Sequence, residues 1–120
     1  MHKKSSPLRK VRNEIKMENT KVYSRTEMRE MMIDTSEYFF MEESGDFVGT
    51  LEMKAEARAG MLRIFLRLSD KRKIITPVFW WQRYLGFYEM EIGTKLKLSY
   101  RESSQNKIFL QSAEILEKDS

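Results

Sequence analysis

The chain has 120 residues, with 22 Lys and Arg against 18 Asp and Glu, one His and no Cys; 41% of it is apolar, including seven Phe, five Tyr and two Trp. A chain of this size buries roughly two thirds of its unfolded surface, so one packed domain with a tail is expected and global disorder is excluded. Without Cys there is no disulfide, thiolate metal site or cysteine nucleophile, and a lone His2 allows no His pair or catalytic triad, so a non-enzymatic protein without metal or cofactor is expected.

Residues 1–23 read as a flexible basic arm. They are polar, contain Pro7 and show no sustained apolar period, and residues 1–16 carry six cations against Glu14, a net +5. This start lacks the apolar centre of a signal peptide, and no apolar run reaches the ~18 residues of a membrane span, so a cytoplasmic protein without membrane contact is expected. Residues 24–46 read as an acidic helix and linker. Ser24 with Glu27 three residues on is a capping-box pattern, which predicts a short helix from Thr26 to Asp34. Met28, Met31 and Met32 fall on one side of it, the pattern of gap-filling surface docked on a core. The segment 17–46 holds three cations against eight acids, a net −5, and either folds back to mask basic surface or projects as an interaction segment.

From Phe47 the apolar period changes to two, and five strands are predicted within residues 47–116, followed by a tail at 117–120. The first runs from Phe47 to Arg58, with Leu51, Met53, Ala55 and Ala57 on one face and Glu52, Lys54, Glu56 and Arg58 on the other. Ala59 and Gly60 make a tight turn. The second strand, Met61 to Ser69, places Leu62, Ile64, Leu66 and Leu68 inward and Arg63, Phe65 and Arg67 outward. Ser69 to Lys73 is a loop. The third strand starts at Ile74 and ends at Trp80 or Trp81, with Pro77 marking an edge or a bulge. Trp81 to Glu91 reads as a helical segment. The fourth strand, Lys95 to Arg101, alternates Leu96, Leu98 and Tyr100 with Lys95, Lys97 and Ser99, and the fifth spans Lys107 to Leu116. Residues 47–116 carry twelve cations against seven acids, a net +5.

The fold class expected is mainly β. Three strands, a helical segment and two more strands, with Gly49 where the long first strand must bend and Gly93-Thr94-Lys95 leading into the fourth, resemble the OB-fold, a five-stranded Greek-key barrel. SH3-like, Sm-like and PilZ-type barrels compete with this reading. Arg25 and Arg29 stand four apart as in PilZ domains, but Asp34-Thr35-Ser36 follows too closely and lacks the Gly of the second PilZ motif.

The OB resemblance implies a ligand surface on strands two and three, flanked by the loops between strands one and two and strands four and five. Single-stranded DNA or RNA is the partner it implies, bound with little sequence preference. Stacking on aromatics contributes ~1 to 3 kcal/mol per base, and Lys and Arg displace counterions from phosphate. The candidate residues are Lys54, Arg58, Arg63, Phe65, Arg67, Lys71, Arg72, Lys73, Phe79, Trp81, Lys95 and Lys97. A protein-interaction or self-assembly module using the same barrel surface is the alternative.

Overall fold

The structure, a computed structural model, describes residues 19–79 and 85–117. A short helix α1 (Arg25–Glu30) precedes the strands β1 (Phe39–Phe40), β2 (Gly45–Glu56), β3 (Leu62–Leu68), β4 (Lys73–Val78), β5 (Lys95–Glu102) and β6 (Ile108–Glu117), with a 3-10 turn at Arg58–Gly60. The strands form one mixed sheet in the order β1-β4-β3-β2-β5-β6, open at both edges. Only β1 with β4 is parallel; the other pairs are antiparallel. The sequence predicts five strands, and the described residues form six, because the acidic segment supplies β1. Of the helical segment expected over Trp81 to Glu91, residues 81–84 lie outside the described residues and Phe87–Glu89 is a turn.

The capping box forms as the sequence predicts. Ser24 Oγ accepts from the Glu27 amide at 3.0 Å, and Glu27 Oε1 accepts from the Ser24 amide at 2.8 Å. The helix stops at Glu30, shorter than expected, since Met32 adopts φ 54°. Of the methionine stripe only Met28 packs inward; Met31 and Met32 are exposed. Ser24→Ala is expected to cost about 1 kcal/mol of local stability, read as faster hydrogen exchange at the Glu27 and Met28 amides with the sheet amides unchanged.

The alternation predicted for the second and fourth strands is found. Leu62, Ile64, Leu66 and Leu68 of β3 and Leu96, Leu98 and Tyr100 of β5 form the main core with Leu51, Ile74, Val78, Phe87 and Leu110. The sheet curls around this core. Tyr100 Oη meets Thr76 Oγ1 at 2.6 Å although their strands are not neighbours in the sheet, and burial pushes the Tyr100 hydroxyl up to about 12. Gly49 stands opposite Leu68 of β3 and Leu96 of β5, where the neighbouring strands crowd its Cα. A Cβ there would lie 3.0 Å from Leu68 Cδ2, 3.2 Å from the Arg67 carbonyl oxygen and 3.3 Å from Leu98 Cδ1. Gly49→Val therefore forces two core leucines and a strand backbone apart, and a loss of about 1 to 3 kcal/mol is expected in urea unfolding.

The first predicted strand follows its alternation only as far as Leu51. The β2–β3 register steps from Leu51 opposite Leu66 to Met53 opposite Phe65, so Glu52 is the extra residue of a bulge. Every side chain after it changes face. Met53 and Ala55, expected inside with Leu51, instead join a second cluster on the outer face with Phe65, Ile75, Tyr23, Met28 and Tyr38. Lys54, expected on the outer polar face, is fully buried.

Lys54 is accommodated because its ammonium has three donors and meets three acceptors. Nζ donates to the carbonyls of Phe87 at 2.9 Å, Tyr88 at 2.8 Å and Met90 at 2.7 Å. These carbonyls belong to the connection between β4 and β5, which also bonds to β2 through the Leu51 amide to the Thr94 carbonyl at 3.0 Å and the Gly93 amide to the Leu51 carbonyl at 2.8 Å. Burial pushes the ammonium down from 10.5 to about 8, with Glu89 pulling the other way.

Candidate functional site

The outer face of β2 and β3 carries the N-terminal segment. Tyr23 bridges in parallel to Ala55, with its amide donating to the Lys54 carbonyl at 3.0 Å and its carbonyl accepting from the Glu56 amide at 2.7 Å. The Tyr38 ring meets Phe65 edge-on at 5.1 Å, and its hydroxyl donates to Glu52 Oε1 at 2.6 Å. Burial first, and then the Glu52 carboxylate, raise the Tyr38 hydroxyl well above its ordinary value. Phe65 is left 2% exposed. The Arg63-Phe65-Arg67 triplet therefore does point outward as expected, but its phenyl ring lies under Tyr38 and α1 and offers no open face to a base.

The predicted cations fall into three groups. In the first, acids of residues 37–52 and Asp70 already hold them. Lys73 pairs with Glu37 at 3.1 Å and Glu52 at 4.0 Å, Arg72 with Asp70 at 2.9 Å and Glu43 at 3.2 Å, and Arg67 with Glu52 at 3.4 Å. Lys73 also lies 5.1 Å from the Tyr38 ring centre, and Arg72 5.3 Å from that of Phe47. These exposed pairs add little to stability, yet they lower the positive potential where the sequence places a phosphate-binding face. The second group lies along β5 and the β3–β4 loop. Lys95 and Lys97 are exposed, and Lys95 shares a groove of about 570 Å³ with Lys71 and Arg67.

The third group makes the most distinctive site. Arg58 and Arg63 share a groove of about 410 Å³ with Arg25 and Arg29 of α1, over a floor that includes Phe65, Met28 and Ala55. All four arginines are exposed, and among the described residues none of them is in an ion pair; the one acid lining the groove is Glu56. Thr35 lines it as well. Arg25 and Arg29 reach one groove because residues four apart share a helix face, and α1 is held over the sheet by Met28. Arg58 comes from the 3-10 turn between β2 and β3, where Gly60 takes φ 73°. Each guanidinium presents a planar fork of donors. Such an arrangement can hold a multiply charged oxyanion.

Of the remaining candidates, Phe79 is exposed just beyond β4, and Trp81 lies outside the described residues. Val78 stands opposite Leu62, so Phe79 sits at the same end of the sheet as Arg58 and Arg63. Lys54 is not at the surface at all. Arg25 and Arg29 are the contributors that sequence reasoning leaves out of the site; their four-residue spacing is the visible signal, but what stands opposite them is set by tertiary packing. Comparison with known proteins adds no assignment: no family model, curated protein or solved structure matches this chain.

Proposed function

We propose that this chain is a non-enzymatic, OB-like module that binds single-stranded DNA or RNA with low sequence specificity, with the arginine groove as its main phosphate contact. The observation that carries this reading is the convergence of Arg25, Arg29, Arg58 and Arg63, none in an ion pair among the described residues, on one groove. The place supports it too. The turn between β2 and β3 and the outer face of β3 correspond to the strand-one-to-two loop and the second strand, where the OB resemblance puts a ligand. The order β4-β3-β2-β5-β6 and the Tyr100–Thr76 contact across the interior support a partly open barrel of that kind.

In this reading phosphate contacts dominate. Phe65 serves as floor rather than stacking platform. The test is anisotropy of a labelled oligonucleotide with the full chain at several salt concentrations. Four phosphate contacts on a single strand give a slope of log K against log salt of about −3. An oligonucleotide that shows no binding at low salt contradicts the reading.

A second reading, protein interaction or self-association, is favoured by the exposure of Phe39 at 70%, Phe40 at 53% and Met32 at 85%. Sedimentation equilibrium separates the two: Phe39→Ser with Phe40→Ser should abolish any dimer, and a wild-type chain monomeric at high concentration rules out self-association.

A further inference from the structure

The groove differs from an extended nucleic-acid channel in its size, its charge and its walls. At about 410 Å³ it lies near the lower end of the range for compact ligand sites, ~300 to 1,000 Å³. One wall is the helix α1 with Arg25 and Arg29; the other is the sheet and its turn, with Arg63 and Arg58. Four guanidinium groups face one carboxylate, that of Glu56, an excess larger than a single phosphodiester charge requires. We propose that the groove recognises a phosphomonoester, the terminal phosphate of a nucleic-acid strand, in preference to the internal phosphodiesters of a continuous backbone. This inference rests on the reading of the groove as a phosphate site given above.

The chemistry separates the two ligands. A phosphomonoester carries about −1.5 to −2 at neutral pH, with a second pKa of about 6, and presents three terminal oxygens. An internal diester carries −1 and presents two. Forked guanidinium donors gain from each terminal oxygen and each charge of the acceptor, so arginines from opposite walls hold a monoester, with three such oxygens and nearly two charges, more tightly than a diester with two oxygens and one charge. Thr35 adds a neutral polar side chain at the lining, and Met28 is the partly exposed apolar side chain beside it.

The experiment uses the full chain and one oligonucleotide sequence in three forms: 5′-phosphorylated, 3′-phosphorylated and hydroxyl at both ends, each labelled away from the tested end. A 5′-mononucleotide and inorganic phosphate serve as competitors. One of the phosphorylated strands should bind about tenfold or more tightly than the hydroxyl-ended strand at equal salt. That gap should shrink at pH 5, where the monoester loses its second charge, and should vanish in Arg25→Gln with Arg29→Gln, both exposed helix positions outside the core. Equal binding of all three strands overturns the inference while leaving the nucleic-acid reading standing. No binding of any strand or competitor overturns both. A mononucleotide that binds as tightly as the phosphorylated strand upholds the phosphomonoester site and overturns the nucleic-acid reading in favour of free nucleotides.

Discussion

Lys54→Met should lower the unfolding free energy by about 2 to 4 kcal/mol, measured by urea denaturation, and Lys54→Ala should lower it further through the cavity it leaves. The substitution removes the ammonium donors to three carbonyls, those of Phe87, Tyr88 and Met90, at 2.7 to 2.9 Å, and of these the Phe87 carbonyl keeps the Met90 amide as a second donor at 3.3 Å. Each buried acceptor left unpaired costs about 1 to 3 kcal/mol. The loss is offset in part because the variant no longer desolvates a charge. The turn carrying those carbonyls also supplies Phe87 and Met90 to the core, so its release reaches the centre of the domain. A variant as stable as the wild type would show that the carbonyls reach water and that Lys54 is not what pins the β4–β5 connection.

The same lysine gives a pH dependence of defined sign. Its folded value of about 8 lies below the ordinary 10.5, so between those values the unfolded chain binds more protons than the folded one. This group's contribution to stability therefore rises with pH across that window. The difference in Tm between wild type and Lys54→Met should widen in favour of the wild type from pH 7.5 to pH 10. A difference that narrows over that range contradicts the depressed value.

Arg58→Glu combined with Arg63→Glu is expected to weaken oligonucleotide binding about 100-fold at low salt and to reduce the salt slope by about 2 or more, with Tm nearly unchanged. Two of the four groove cations become anions, and Glu56 then stands with them rather than alone. Both side chains are exposed, Arg58 on a turn and Arg63 on the outer face of β3, so neither change disturbs the leucine core. Unaltered affinity would place the phosphate contacts elsewhere on the chain.

Much of the sheet is legible in the sequence because its hairpins keep strict alternation. Leu62, Ile64, Leu66 and Leu68, and likewise Leu96, Leu98 and Tyr100, are buried on the core face, and a period of two leaves little freedom once one face is apolar; Phe65 is buried too, but on the outer face. The bulge at Glu52 is not legible in the same way. Met53 and Ala55 continue the apolar parity of Leu51 in the sequence, so nothing in the pattern marks the change of face. The apolar cluster of Tyr23, Met28 and Tyr38 on the outer side is what accepts them, and it is built from a segment 14 or more residues away in the chain.

The site was legible to the same degree. Exposed cations are easily listed, but which of them are already neutralised depends on where the acidic segment lies. Its fold-back pairs Glu37 and Glu43 with Lys73 and Arg72, and Tyr38 from the same segment covers Phe65. The masking alternative raised by the segmental charge is the one the structure supports for this part of the surface. Arg58 and Arg63 remain, and they gain Arg25 and Arg29 as neighbours only because α1 docks through Met28.

The central claim is that the arginine groove, rather than the lysines of β5, meets the phosphates. Amide chemical shifts of the isotopically labelled full chain, recorded during titration with a single-stranded oligonucleotide, test it most directly. The groove predicts perturbations concentrated at Arg25–Glu30, Thr35, the turn Arg58–Gly60 and Arg63. Perturbations confined to Lys95–Glu102 and Ile108–Glu117, with the groove silent, would contradict it.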